Sequence, residues 1–249
     1  VYSCMLAFSS LLGNVEGQNI YRIWYDKPAS YWEEALPVGN GRIAAMVFGD
    51  PQLEQIQLNE ETVSAGSPYQ NYNEEAKTAL PEMRRLIFEG KYEEAQNMAA
   101  TKILSQVGNE MPYQTVGRLN IRYQDHKKVN NYYRDLDISN AVAVTRYEVD
   151  GVEFTEETFA SFTDQLVIRH IKASKPGTIN CELFFNTPMR DPKRSIYGKK
   201  GLRLEGITHG SRYFPGKVHY CADLDVKHKG GKVITANDTL LSVQGASEL

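Results

Sequence analysis

The segment VTRYEVDGVEF (Val144–Phe154) gives the clearest local indication of how this chain folds. On both sides of Asp150-Gly151 the residues follow the pattern of a β-strand, in which successive side chains point to opposite faces. Asp-Gly is a preferred pair for the two-residue turn of a β-hairpin, because both turn positions need a positive φ angle. The segment therefore predicts two antiparallel strands joined by a tight turn.

Comparable signals recur through the second half of the chain. Gly230-Gly231 predicts a hairpin between DVKHK and KVITA, and Asn237-Asp238 predicts another before TLLSV. Turn residues arrive about every eight to twelve residues, a spacing typical of antiparallel sandwiches and barrels. A parallel sheet would need helices between its strands, and this half of the sequence predicts none. The expected fold class is mostly β.

The region from about residue 74 to residue 104 has a different pattern. Leu80, Met83, Leu86 and Ile87 recur at helical spacing, and a second amphipathic run begins at Tyr92. Pro81 suits the first turn of a helix, and Gly90 suits the position just past a helix end. This region predicts a short helical insertion in the β domain.

The composition excludes several classes of function. Lys and Arg number 28 against 31 Asp and Glu, so the net charge of −3 offers no basic excess for binding nucleic acid. The uncharged run CMLAFSSLLG (Cys4–Gly13) is too short to span a bilayer, which needs roughly 20 residues. It resembles the apolar region of a signal peptide, so we expect residues 1–17 to be a signal-peptide remnant and 18–249 to be the folded domain.

Most motifs that could carry chemistry are excluded by their context. Gly39–Ala44 matches a dinucleotide fingerprint, but a strand is predicted after it where the fingerprint requires a helix. No H-E-x-x-H or C-x-x-C spacing occurs, and we expect neither a metal nor a cofactor. Cys181 and Cys221 lie in strand-like runs, where pairing and burial as free thiols are both open.

Three pairs of adjacent glutamates raise the question of glycoside hydrolysis, which uses two carboxyl groups. Neighbours on a strand point to opposite faces, so no such pair can act by itself, and each is expected to be a solvated edge. Asn59-Glu60 is retained as a candidate, because it ends a strand and enters a loop rich in Gly, Ser and Pro. The three glutamate pairs are Glu33-Glu34, Glu60-Glu61 and Glu156-Glu157.

Several long segments, in order, resemble the N-terminal part of family-95 glycoside hydrolases. The resemblance covers about residues 20–249 and is carried by WYDKPA, YWEEALPVGNGR, AMVFG, QLNEET, RRLIFEGKY, YRDLD, YEVDGV and FAS. It implies an antiparallel β-supersandwich that precedes a helical linker, an (α/α)6 barrel and a final β domain. It also implies an inverting exo-glycosidase, most often an α-L-fucosidase acting on α-1,2-linked fucose.

The resemblance places the catalytic residues in the barrel, so no catalytic residue is expected in this chain. The sandwich is then expected to contact the barrel and to lend loops to the rim of its active site, where the enzyme binds a fucosylated glycan. The candidates for substrate-proximal residues are Asn40, Arg42, Asn59 and Glu60. Ser64 departs from the family pattern, which has a tryptophan at that place.

Two alternatives stay open at this point. The chain could be a stand-alone carbohydrate-binding module, or it could belong to a family member that acts on α-L-galactosides. The run after Ser242 looks like a strand, a turn and the start of another strand, from which we expect the domain to be truncated at its C-terminal end. The signal-like start predicts a secreted, periplasmic or cell-surface protein, by analogy that of a Gram-negative bacterium.

Overall fold

The molecule is built from three antiparallel sheets. The computed structural model describes residues 21–66, 70–105, 111–211 and 215–249 of the chain. Within these residues the strands form sheets of five, seven and three strands, and the pairings between neighbouring strands are antiparallel. This architecture confirms the predicted mostly-β sandwich. The predicted signal segment lies outside the described residues.

The strands of each sheet come from distant parts of the chain. In sheet order, the five-stranded sheet consists of β1 (Arg22–Tyr25), β6 (Val129–Asp137), β7 (Val142–Val149), β8 (Val152–Ser161) and β9 (Leu166–Ala173). The seven-stranded sheet consists of β14 (Lys232–Asn237), β15 (Leu240–Ala246), β10 (Ile179–Asn186), β5 (Gly117–Tyr123), β4 (Leu53–Glu60), β3 (Ile43–Val47) and β2 (Leu36–Gly39). The three-stranded sheet consists of β11 (Arg190–Tyr197), β12 (Gly201–Ile207) and β13 (His219–Asp225).

The core lies between the five-stranded and the seven-stranded sheets. Strand alternation directs one set of side chains inward, and these form a single apolar cluster that also reaches β12. In β4 the inward side chains are Glu54 and Ile56, so a carboxylate stands in line with an aliphatic core residue. Representative members of the cluster are Val38, Val47, Ile121, Ala143, Tyr147, Phe154, Ile171, Leu183, Leu204 and Val243.

The hairpin predicted at Asp150-Gly151 is present and joins β7 to β8. Its two turn residues have φ angles of 50° and 75°, as a two-residue turn of the primed type requires. The Asn237-Asp238 turn joins β14 to β15 and is also confirmed. Both predictions succeed because each turn connects strands that pair directly with each other.

The hairpin predicted at Gly230-Gly231 is wrong. Both glycines have positive φ angles, but β13 before them pairs only with β12, while β14 after them pairs with β15. The turn residues therefore carry the chain from the three-stranded to the seven-stranded sheet. The turn chemistry is local, whereas the choice of pairing partner depends on strands far away in sequence.

The helical insertion is confirmed. It contains α1 (Ala76–Phe88), α2 (Tyr92–Met98) and a five-residue π-helical turn at Ala99–Ile103. Gly90 follows the end of α1 with a φ of 75°, the left-handed conformation expected there. The sequence predicted that Pro81 lies in the first turn of a helix. This prediction is wrong, because Pro81 lies in the interior of α1. It is exposed, so the carbonyl that lacks its N–H partner can be hydrated.

Three further expectations can be compared with the structure. Gly39–Ala44 forms the end of β2, a turn at residues 40–42 and the start of β3, in agreement with the rejection of a nucleotide-binding motif. Cys181 is buried in β10 and Cys221 is exposed in β13, and both are free thiols. In the described part of the chain, no helix is long and apolar enough to cross a membrane.

Candidate functional site

Asn40 organises the turn between β2 and β3. Its Oδ1 accepts the backbone N–H groups of Arg42 and Ile43, at 3.1 and 3.0 Å. Its Nδ2 donates to the carbonyl of Ser161, at the end of β8, over 2.8 Å. One side chain thus closes the hairpin and ties it to the opposite sheet, which presents Arg42 in a fixed place.

Arg42 and Glu60 meet at the end of the sandwich. The Arg42 Nε donates to Glu60 Oε1 over 3.2 Å, and Glu60 Oε2 accepts both the N–H and the hydroxyl of Thr62. Partial burial would raise the pKa of Glu60, but the hydrogen bonds from Thr62 and Arg42 outweigh it and lower that pKa. The side chain of Arg42 remains 62% exposed, so this pair is open to a ligand.

Tyr113 adds an aromatic ring to the same place. It pairs with Ser64 through an isolated β-bridge, and its hydroxyl donates to the carbonyl of Glu60 over 3.0 Å. Its ring is largely exposed. Sequence reasoning missed Tyr113, because only the folded chain brings it beside Glu60. We call Arg42, Glu60, Thr62 and Tyr113 the rim cluster.

Asn59 does not join the rim cluster. It lies next to Glu60 on β4 and opposite Ala44 of β3, so its side chain points to the other face of the sheet. The structure thus brings Asn40, Arg42 and Glu60 together and separates Asn59 from them. In the described ranges, no group of three or more His, Cys, Asp or Glu could hold a metal ion.

A second polar cluster lies inside the sandwich. Glu54 of the seven-stranded sheet accepts three backbone N–H groups through Oε1, and its Oε2 accepts Nη2 of Arg169 over 2.8 Å. Glu156 of the five-stranded sheet accepts the same Nη2, together with the hydroxyls of Tyr123 and Tyr147 at 2.7 and 2.6 Å. We call these five residues the buried network, and Arg169 joins its two sheets.

The expectation that Glu156-Glu157 is a solvated edge is wrong for Glu156. Its exposure is 1%, while Glu157 on the opposite face is at the surface beside His170. The reason is strand alternation: one member of an adjacent pair must face inward, and this one finds Tyr and Arg donors there. Glu34 of the first pair is also half-buried and accepts the N–H of Ser30.

Burial dominates the electrostatics of the network. Desolvation raises the pKa of Glu54 to about 7, against the attraction of Arg169 and the backbone donors. Burial also raises the pKa values of Tyr123 and Tyr147 well above those of a free phenol. The pKa of Arg169 is raised, because the attraction of both glutamates outweighs its own desolvation.

The buried network is a structural element and not a catalytic pair. Glu54 has an exposure of 0%, and only 7% of the Arg169 side chain is exposed, so no sugar can reach the carboxylates. His126 lies beside the network, with Nδ1 at 3.0 Å from the carbonyl of Pro51 and its ring stacked on Tyr123. Burial lowers the pKa of His126, which favours its neutral form.

The fold and the rim cluster together define the class of protein: a β-sandwich domain that, in its described residues, presents a cluster of polar side chains in loops at one end. The chain belongs to the family described as "Glycosyl hydrolase family 65, N-terminal domain", whose model matches residues 23–249. The matched family carries the number 65, and the finer assignment to family 95 stays a prediction.

Similar proteins carry names of fucosidases. The chain is 37% identical over 181 residues to "Alpha-L-fucosidase 2" of Arabidopsis thaliana, a match covering 70% of this chain and 21% of that protein. It is 26% identical to "Probable alpha-fucosidase A" of Aspergillus niger, over 61% of this chain and 20% of that protein. For the protein of the same name from Aspergillus oryzae the identity is 25%, over 80% of this chain and 28% of the relative. The chain spans about a fifth to a quarter of the length of these relatives.

Proposed function

We propose that this chain is the non-catalytic N-terminal domain of a secreted, inverting exo-glycosidase that releases α-1,2-linked L-fucose. The observation that carries the proposal is the family match over nearly the whole chain, together with relatives named as fucosidases. The activity then belongs to the complete polypeptide, and this domain supports an (α/α)6 barrel. We further propose a secreted, periplasmic or cell-surface location.

The distribution of carboxylates supports a non-catalytic role. Inverting hydrolysis needs an acid and a base about 6.5–9.5 Å apart, with a water between them. Glu54 and Glu156 are closed off from solvent, and Glu60 is engaged by Arg42 and Thr62. A carboxylate with a lowered pKa that is held by an arginine is a poor general acid, so Glu60 suits binding better than proton transfer.

The rim cluster supports a role at the edge of the active site. A guanidinium, a carboxylate and an exposed phenol ring lie together in loops braced by Asn40. These groups donate to sugar hydroxyls, accept from them and cover the apolar face of a sugar ring. We propose that the rim cluster, and not Asn59, lies next to the substrate in the complete enzyme.

Hydrolysis of a fucosyl-α-1,2-galactose substrate tests the proposal directly. We expect fucose release with inversion from the full-length polypeptide, and none above a buffer blank from residues 18–249 whose fold is verified by circular dichroism. Release by the folded domain alone would place the chemistry within these residues and contradict the proposal. The hydrolysis rate of a matched α-L-galactoside distinguishes the two candidate sugars. Faster hydrolysis of the galactoside than of the fucoside would favour the alternative substrate.

A further inference from the structure

The outer face of the five-stranded sheet carries two aromatic rings that the apolar core does not use. Trp24 projects from β1, and Tyr133 projects from the neighbouring strand β6 on the same face. Their ring centroids are 6.3 Å apart and the ring planes differ by 18°, so the two faces are nearly parallel. Trp24 is 61% exposed, whereas Tyr133 is part-buried beneath it. We call Trp24 and Tyr133 the ring platform.

The ring platform is held in place by charged neighbours. Arg22, two residues before Trp24, donates to Asp135 over 2.9 Å and to Asp137 over 3.2 Å. Asp135 lies directly opposite Trp24 in the strand register and is fully buried. Burial and the adjacent carboxylate of Asp135 raise the pKa of Tyr133. The rings are therefore preorganised before any ligand arrives.

The charges around the platform cancel. Arg146 of β7 lies opposite Tyr133 and is exposed, which adds a second guanidinium to the same face. The two arginines and two aspartates that lie nearest the rings in the strand register together carry no net charge, and Glu148 farther along β7 is held by Asn131. Such a surface favours a neutral ligand with many hydroxyl groups over an anion or a cation.

The platform is also too small and too polar for the centre of a protein interface. Those centres are depleted in charged residues, and exposed patches that mark them extend over several hundred Å². Here exposed Trp24 lies beside the ion pair of Arg22 and Asp135, and exposed Ile23 of the same strand points to the opposite face. The faces of the rings carry partial negative charge, which attracts the weakly positive C–H groups of a pyranose.

We infer that the ring platform of Trp24 and Tyr133, flanked by Arg22 and Arg146, is a binding site for neutral glycan chains, separate from the rim cluster. The exposed indole of Trp24, backed by the part-buried ring of Tyr133, covers the apolar face of a pyranose unit, and N–H groups of the two guanidinium groups donate to sugar hydroxyls. The choice of a glycan rests on the proposed function, whereas the binding itself needs no hydrolysis.

Affinity electrophoresis of the full-length polypeptide tests the inference, with soluble neutral xyloglucan in the gel and a sulfated glycan as the anionic comparison. We expect retardation by xyloglucan only, and at least tenfold weaker binding for Trp24→Ala, equivalent to about 1.4 kcal/mol. Trp32→Ala is the matched control, because Trp32 is the other tryptophan of the chain and is also exposed, and it should bind like the wild type. Tyr133→Phe keeps the ring and should bind within a factor of about two.

Two outcomes would overturn the inference. The first is equal retardation of the wild type and a folded Trp24→Ala variant. The second is loss of thermal stability in Trp24→Ala with unchanged binding, which would identify the platform as a contact with another part of the polypeptide. Fucose release is measured separately. Absence of hydrolysis together with retained xyloglucan binding would contradict the proposed function and would still support glycan binding at the ring platform.

Discussion

The buried network and the rim cluster contain the same ion pair in two environments. Arg169 and Glu54 are joined at 2.8 Å between the sheets, and Arg42 and Glu60 are joined at 3.2 Å at the end of the sandwich. Inside, four donors surround Glu54, which is not exposed to solvent; outside, the side chain of Arg42 is 62% exposed. The environment of a Glu–Arg pair, and not its geometry, therefore decides whether the pair serves stability or recognition.

The energetic consequences differ accordingly. Removing one partner of a buried pair leaves an uncompensated charge and costs roughly 3–5 kcal/mol, whereas an exposed pair contributes only about 0.2–1 kcal/mol. The buried network therefore fixes how the two sheets are joined, while the rim cluster can be changed with little effect on folding.

Replacing Arg169 gives the largest expected effect. Arg169→Met leaves Glu54 and Glu156 buried without their shared cation, so we expect the free energy of unfolding to fall by roughly 3–5 kcal/mol at pH 8. Urea unfolding followed by circular dichroism measures this change. Arg42→Met is the matched control and should lose less than about 1 kcal/mol. Equal losses for the two variants would remove the distinction between the two regions.

The pH dependence of the free energy of unfolding gives a second test of the difference between the buried network and the rim cluster. Between pH 4.5 and about 7, Glu54 is protonated in the folded protein and ionised in the unfolded chain. The folded state holds the extra proton, so this residue makes the free energy of unfolding fall as the pH rises through that window, by about 3 kcal/mol. We expect this fall to be absent in Glu54→Gln, as measured by urea unfolding at a series of pH values.

Glu60→Gln is the control for Glu54→Gln, because Glu60 contributes to the pH dependence of the free energy of unfolding in the opposite direction. The pKa of Glu60 is lowered on folding, so its contribution is present above pH 4.5 and is lost as the pH falls through its folded pKa. A Glu54→Gln variant with the same pH profile as the wild type would show that the buried carboxylate is ionised throughout.

Removing a single hydroxyl from each region gives a smaller difference. Tyr147→Phe takes one of the two phenol donors from buried Glu156, with an expected loss of about 1.5–3 kcal/mol, the range for hydrogen bonds to charged groups. Tyr113→Phe removes an exposed hydrogen bond to the Glu60 carbonyl and should change stability by less than about 0.5 kcal/mol. Thermal unfolding of both variants measures the two losses of stability. A larger loss in Tyr113→Phe than in Tyr147→Phe would contradict the prediction.

The smallest effect on stability is expected at the rim, where the effect on activity should appear. In the full-length enzyme, Arg42→Ala should keep the unfolding free energy within about 1 kcal/mol of the wild type. We expect kcat/KM for the fucosyl substrate to fall about tenfold, equivalent to ~1.4 kcal/mol of transition-state binding. Asn59→Ala, on the other face of the sheet, is the control and should keep wild-type kinetics. The reverse result would move the substrate to the face of Asn59.

Sequence reasoning predicted the elements whose causes are local. The Asp150-Gly151 hairpin and the helical insertion depend on φ preferences and periodicity within a few residues, and both are confirmed. The Gly230-Gly231 hairpin was predicted in the same way and is wrong, because its flanking strands find partners in different sheets. The position of Pro81 within α1 was misjudged by a few residues, since helix boundaries depend on more than one capping signal.

Part of the candidate site was predicted from the sequence, because its residues lie in consecutive strands, and part was missed. Asn40, Arg42 and Glu60 lie close together because β2, β3 and β4 are consecutive antiparallel strands, so their loops return to the same end of the sheet. Tyr113 reaches that end only after the helical insertion, and no spacing in the sequence indicates this. The prediction that Glu156 is solvated failed because the sequence does not say which face of a strand has buried donors.

The antiparallel β class, the insertion at residues 74–104 and the resemblance to glycoside hydrolases all follow from the sequence, because turn residues, periodicity and ordered motifs involve residues that are close together along the chain. The three-dimensional fold was needed to show which strands share a sheet, which glutamates are buried, and that Trp24 stacks on Tyr133 on an outer face. The physical reason is that pairing and burial arise between residues far apart in sequence. Glutamate and arginine side chains therefore join the two sheets in the buried network and remain exposed to ligand in the rim cluster.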